Sequence, residues 1–265
     1  MTALAALPLV LASGTTKQPI AISAPPTLIE AKIEKLKYEP VQFKTQDKLT
    51  LHAQFYAPSK KGRAPAVLLI HDEGKDADSM ASVAESLMRK GFAVLSVDLR
   101  GHGESASESC DWSKITDLQV KAQTWTFAMR DLEAATGYLR DLKNVHNSNL
   151  SVVGVGAGAV LAARYAYRDE NARAVVLIEP TAEIYGFNML KDVSELGGLP
   201  VLIMSTSESR SESTRVKNAA AKANDGIDYV KLQTLKPKNE DDVFSDKRLA
   251  TEMTKFLKSE AMDKR

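Results

Sequence analysis

Five short apolar runs recur along the chain, and no other feature constrains its fold as tightly. Residues 66–70 (AVLLI), 92–97 (FAVLSV), 150–155 (LSVVGV), 174–178 (AVVLI) and 201–204 (VLIM) are too short for helices and rich in β-branched side chains. Runs without polar alternation belong to strands covered on both faces, the condition of a parallel sheet. Between them, apolar residues fall three and four apart over 80–89, about 118–142, 157–167 and 213–223, the spacing of one-faced helices. Alternating strands and helices predict an α/β fold, with a mostly parallel central sheet and helices on both faces. Ahead of it, 38–45 and 49–57 alternate polar and apolar around Gln46-Asp47-Lys48, which predicts an N-terminal antiparallel hairpin. A last strand over 228–235 and a closing helix over 249–257 complete the order.

Composition narrows the function classes. With 35 Lys and Arg against 34 Asp and Glu, the net charge is +1, so no basic excess is available to neutralise phosphates and nucleic acid is excluded as a partner. The single cysteine, Cys110, rules out an intramolecular disulfide framework or a cysteine-based metal cluster. Residues 3–12 (ALAALPLVLA) have the length of a signal-peptide core, although no Lys or Arg precedes them, and they are too short for a stable membrane span. Three prolines in 13–32 mark a linker. The expected organisation is therefore a signal-like segment and linker over 1–32, one domain over 33–260 and a tail over 261–265. The expected location is secreted or periplasmic if the leader acts as one, and cytoplasmic otherwise.

Two segments carry a family signature. Residues 65–72 (PAVLLIHD) are followed by a second strand that runs into Asp98-Leu99-Arg100-Gly101-His102-Gly103-Glu104-Ser105. This resembles the α/β-hydrolase superfamily, in its dienelactone hydrolase and esterase-like branch, where a strand ending in His-Gly precedes a helix, a strand and Asp-x-Arg-Gly-His-Gly-x-Ser. The resemblance runs from about 38 to 257 and implies the α/β-hydrolase fold. It also implies that His71 and His102 shape loops rather than move protons.

The same resemblance places the nucleophile elbow, a Gly-x-Ser-x-Gly turn, at Gly154-Val155-Gly156-Ala157-Gly158. The glycines match and the serine is missing, so no acyl intermediate can form on residue 156. Superfamily order runs nucleophile, acid, histidine, yet His52, His71, His102 and His146 all precede Gly156. The acid position falls at about Ser209, with Glu208 beside it, and a carboxylate without imidazole cannot run a serine relay. The expectation is a degenerate, non-catalytic member, a pseudoenzyme, with no catalytic residues, cofactor or metal. It would bind an unknown small molecule or protein through the former active-site cleft: His71, Asp72 and Glu73 of the oxyanion loop, Gly156 and Ala157 of the elbow, and Glu208 and Ser209 of the acid loop.

Two alternatives remain open at this level. One is an esterase-like hydrolase with an unconventional carboxylate base, drawn from Glu208, Asp72 or Glu73. The other is dinucleotide binding, because Gly154-x-Gly156-x-x-Ala159 follows a strand and opens a helix, and Glu179 ends the next strand, where a carboxylate could hold a ribose hydroxyl.

The amides that begin the helix at Ala157 favour anions. Asp72, Glu73, Asp76 and Asp78 oppose one, and suit a cationic or hydroxyl-rich ligand or a hard cation; alternatively they form a solvated loop in which Asp78 or Ser79 caps the helix from about Met80. Cys110 is inert unless His71 or His102 meets it in space. Trp112, Trp125 and Phe127 either line a pocket or pack against helices. Residues 236–248 read as a solvated loop of mixed charge, and the serine-rich stretch 205–213 has no base in sequence reach.

Overall fold

Polar and apolar residues alternate on either side of Lys48, and there the chain folds back on itself. Strand β1 (Glu39–Lys44) pairs antiparallel with β2 (Thr50–Tyr56), Glu39 lying opposite Phe55 and Lys44 opposite Thr50. The computed structural model describes residues 37–59, 62–223, 229–239 and 242–262, within a compact unit that runs from Lys37 to Arg265. The signal-like segment and linker over 1–32 lie outside the described residues, as does most of the tail.

The apolar runs become fully buried strands. β3 (Ala64–Ile70) and β4 (Ala93–Val97) are buried at every position and pair in parallel. Helix α1 (Ala81–Arg89) crosses between them, entered through a 3-10 turn at 77–80. The cap of that turn is Asp76, whose carboxylate accepts the Ser79 amide, rather than Asp78 or Ser79 as the sequence suggested. Asp78 instead accepts a hydrogen bond from the Gln54 amide on β2.

Helix α2 (Leu118–Asp141) starts on Asp117, which caps the amides of Gln119 and Val120. It leads to β5 (Val145–Val155), which begins five residues before its apolar run because Val145 pairs with Ala64 at the start of β3. After α3 (Ala157–Arg168) and β6 (Ala172–Ile178) comes a small excursion that the sequence reading missed: β7 (Glu183–Ile184), β8 (Phe187–Asn188) and α4 (Met189–Ser194). The chain then returns through β9 (Val201–Ser205), α5 (Arg210–Ala223), β10 (Val230–Thr234) and α6 (Lys247–Leu257). The mixed-charge stretch 236–248 holds a short 3-10 turn at 243–245, capped by Asp242.

Eight strands form one sheet in the order β1-β2-β4-β3-β5-β6-β9-β10, parallel from β4 to β10 with the hairpin antiparallel at one edge. One face packs on α2, α3 and α5 through residues such as Trp125, Leu132, Val160 and Val216. The other packs on α1 and α6 through Val83, Leu87, Met253 and Phe256. This is the α/β-hydrolase arrangement that the sequence predicted. Arg100, on the loop after β4, ties three elements together. It reaches Asp131 of α2 at 2.6 Å and Asp47 of the hairpin turn at 2.9 Å, and Asp131 also accepts the Arg100 amide. Among the described residues, no helix is long and apolar enough to cross a membrane.

Candidate functional site

The C-terminal ends of β3, β5, β6 and β9 meet at one edge of the sheet, where ligand sites of open α/β folds are built. At the elbow, β5 gives way to α3 through Gly156, whose φ of 53° and ψ of −120° place it in a region that disfavours any side chain. The flanking glycines are needed for close approach. A Cβ at Gly154 would strike the Gly158 carbonyl, and one at Gly158 would strike the carbonyl of His71.

What fills the space above Gly156 is Asp72. Its Oδ1 accepts the Ala157 amide at 2.8 Å and the Glu73 amide at 2.8 Å. A Cβ on Gly156 would overlap this carboxylate. The helix terminus and the oxyanion loop thus hold an anion supplied by the chain itself. Burial pushes the Asp72 carboxyl above its usual range, opposed by the two amides.

The histidines are accounted for one by one. His71 is buried; its Nε2 accepts the Leu99 amide at 3.1 Å, so Nδ1 carries the proton and donates to the Asp72 carbonyl at 2.7 Å. Burial pushes its pKa down to about 3, which keeps the ring neutral. His102 lies 4.9 Å from His71 between ring centroids, stacks on Trp112, and bonds the Arg100 carbonyl through Nδ1. Burial also lowers its pKa. Each ring holds loop backbone groups, while His102 Nε2 is buried with no hydrogen-bond partner among the described residues. His52 sits on β2 with its Nδ1 3.2 Å from Glu104. His146 is at the far end of β5, roughly 30 Å of strand away from the elbow.

The loop after β9 is held by a residue that the sequence reading gave a different task. Glu179, at φ 49° after β6, accepts the Thr206 amide and the Ser209 hydroxyl. Ser209 therefore donates its hydroxyl to a carboxylate. Glu208 is exposed and makes no hydrogen bond or ion pair among the described residues. Glu73 accepts the hydroxyl of Tyr185, at the tip of the β7–β8 hairpin. Tyr185 packs edge-on against Trp112, and Trp125 donates its indole N–H to the Ala157 carbonyl at 3.3 Å. These aromatics pack together over the oxyanion loop. Phe127 lies apart, beneath the guanidinium of Arg130 at 4.7 Å. Cys110 is half-buried under Gly101, and burial raises its thiol pKa.

Asp72, Glu208 and Ser209 do meet, across a cavity of about 450 Å³ that Lys75, Glu179 and Phe244 also line. Sequence reasoning missed Lys75, Tyr185 and Phe244, because nothing local marks a residue that reaches a cleft from a distant loop. Among the described residues, no group of three or more His, Cys, Asp or Glu could hold a metal ion. The dinucleotide alternative is disfavoured by the geometry: a pyrophosphate approaching Gly156 meets the Asp72 carboxylate, and Glu179 is engaged by Thr206 and Ser209.

Known proteins place this geometry in context. A family model described as Serine aminopeptidase, S33 matches residues 62–222. Acyltransferase drtE of Aspergillus calidoustus is 28% identical over 155 residues, covering 57% of this chain and 46% of that protein, so the match spans less than half of the relative. In fold, the α/β hydrolase GrgF from Penicillium sp. sh18 superposes with a TM-score of 0.66 at 16% identity, over 85% of this chain and 99% of that one. The Pyrococcus furiosus esterase Pf2001 gives 0.65 at 18% identity, over 92% and 100%. Since the family model spans well over half of its length, the chain belongs to the serine aminopeptidase family of α/β-hydrolase-fold proteins.

Proposed function

We propose that this protein uses the former nucleophile cleft to bind a small molecule, and that it forms no acyl-enzyme there. One observation carries the reading: the Asp72 carboxylate occupies the volume of a nucleophile's side chain and accepts the Ala157 amide that would otherwise stabilise an oxyanion. Triad chemistry needs a hydroxyl or thiol, an imidazole within hydrogen-bond reach, and free donors for the oxyanion. Here residue 156 is glycine, both ring nitrogens of His71 are engaged by backbone groups, His102 holds the Arg100 carbonyl through Nδ1 with Nε2 buried and unpartnered among the described residues, and the amide of Ala157 is taken.

A second reading is favoured by the company the chain keeps and by the state of Asp72. The relatives are named as an acyltransferase, a hydrolase and an esterase. A carboxyl raised by burial and lining a cavity has the position and the basicity to activate water on an ester. The two readings separate in one assay, hydrolysis of p-nitrophenyl butyrate by the wild type and by Asp72→Asn. The binding reading predicts no rate above buffer for either protein. Turnover by the wild type that falls about 100-fold or more in Asp72→Asn establishes the carboxylate-base hydrolase instead.

A further inference from the structure

The cavity beside Gly156 differs from its surroundings in charge and in the chemistry of its wall. Asp72, Glu179, Glu208 and Asp242 line it against the single ammonium of Lys75. Three of the four carboxylates already serve the backbone: Asp72 takes two amides, Glu179 takes the Thr206 amide, and Asp242 caps Phe244. Those amides fix the carboxylates in place, and Lys75 is the one cationic side chain set against them in the lining. Glu208 has no partner among the described residues, so its carboxylate is free to meet a ligand.

The remaining wall is mixed: Ser79, Thr206 and Ser209 contribute polar groups, and Val155 at the end of β5, Val243 and Phe244 form an apolar and aromatic side. Its volume of about 450 Å³ falls within the range of small-molecule pockets. The negative charges line this wall without converging. As no three acidic, histidine or cysteine groups among the described residues gather around one point, the arrangement lacks the focus that a metal ion requires. A charge carried on an apolar body satisfies both halves of the lining, the carboxylates by Coulomb attraction and Phe244 through its ring face.

We propose that the cavity binds a small organic cation, a primary amine or guanidine attached to an apolar group, with Glu208 as its free charge partner and Phe244 and Val155 against its apolar part. This rests on the reading of the cleft as a binding site, and names the class of ligand it takes.

The test is isothermal titration of the whole protein with phenethylamine and with 3-phenylpropionate, which share an aromatic body and differ in the sign of the charge. Phenethylamine is expected to bind saturably and at least about tenfold more tightly than the acid, more weakly as salt is raised. Glu208→Gln, at an exposed and unpartnered position, is expected to fold normally and to weaken phenethylamine about three- to tenfold, with Glu208→Lys weakening it further. The proposal is overturned if the acid binds as tightly as the amine, if phenethylamine does not bind at concentrations on the order of 10 mM, or if Glu208→Lys leaves its affinity unchanged. Ester turnover dependent on Asp72 would overturn the binding-only reading and leave the amine preference standing. Preference for the acid would overturn the amine assignment alone.

Discussion

Gly156 and Asp72 share one volume, and that coupling decides how either can be changed. Gly156→Ser puts a Cβ at φ 53° into the Asp72 carboxylate, so the substitution is expected to cost about 2–4 kcal/mol in urea unfolding. Replacing Asp72 by Gly in the same chain removes the overlap and is expected to return about 1–3 kcal/mol, a coupling that two independent sites would not show. A Gly156→Ser protein as stable as the wild type would contradict the geometry. His71 gives a second prediction. Its folded pKa, lowered to about 3 by burial, lies below its unfolded value near 6.5, so the unfolded chain binds the extra proton first. Stability from this ring is complete above about pH 6.5 and is lost as pH falls below it toward the folded value. In histidine NMR spectra its ring resonance should therefore stay fixed from pH 8 to about 5; a midpoint near 6.5 would refute its burial as a neutral ring. The missing serine was plain in the sequence, since a motif fixes it locally. The carboxylate that replaces it was not, because the bond from Ala157 to Asp72 spans 85 residues.

Elements with strong periodicity were legible and the rest were not. The buried parallel strands announce themselves as unbroken apolar runs, and α2 shows its spacing over 24 residues. The two-residue strands β7 and β8 have no period to read, and the polar start of β5 is set by pairing with β3 rather than by its own residues. The cap falls on Asp76 rather than on Asp78 or Ser79 because all three are competent caps, and Gln54 on another strand claims Asp78. Between elements, the buried Asp131 depends on Arg100. Arg100→Met is expected to cost about 3–5 kcal/mol by leaving that carboxylate unpaired, measured as a lowered midpoint in denaturant. A loss below about 1 kcal/mol would mean that the pair contributes no more than a surface ion pair. Glu179 similarly holds the loop after β9. Glu179→Ala is expected to raise hydrogen exchange at the Thr206 amide while amides in the middle of β9 stay protected.

At the scale of the whole molecule, the α/β-hydrolase scaffold brings four strand ends to one edge, and the chemistry depends on what each end presents there. On this chain the end of β5 presents Gly156, and the loops after β3, β6 and β9 present Asp72, Glu179 and Glu208 with Ser209. The order of strands and helices sufficed to read the scaffold, since alternation and burial are written along the chain. The cavity was legible only in part. Asp72, Glu208 and Ser209 could be assigned by their place in the family pattern, whereas Phe244 and Lys75 join them only through tertiary packing. The most direct test of the central claim is the intact mass of the wild-type protein after incubation with a fluorophosphonate, which labels activated hydroxyl nucleophiles. The account predicts an unchanged mass. A stoichiometric adduct, one per folded chain and lost on denaturation before labelling, would contradict it.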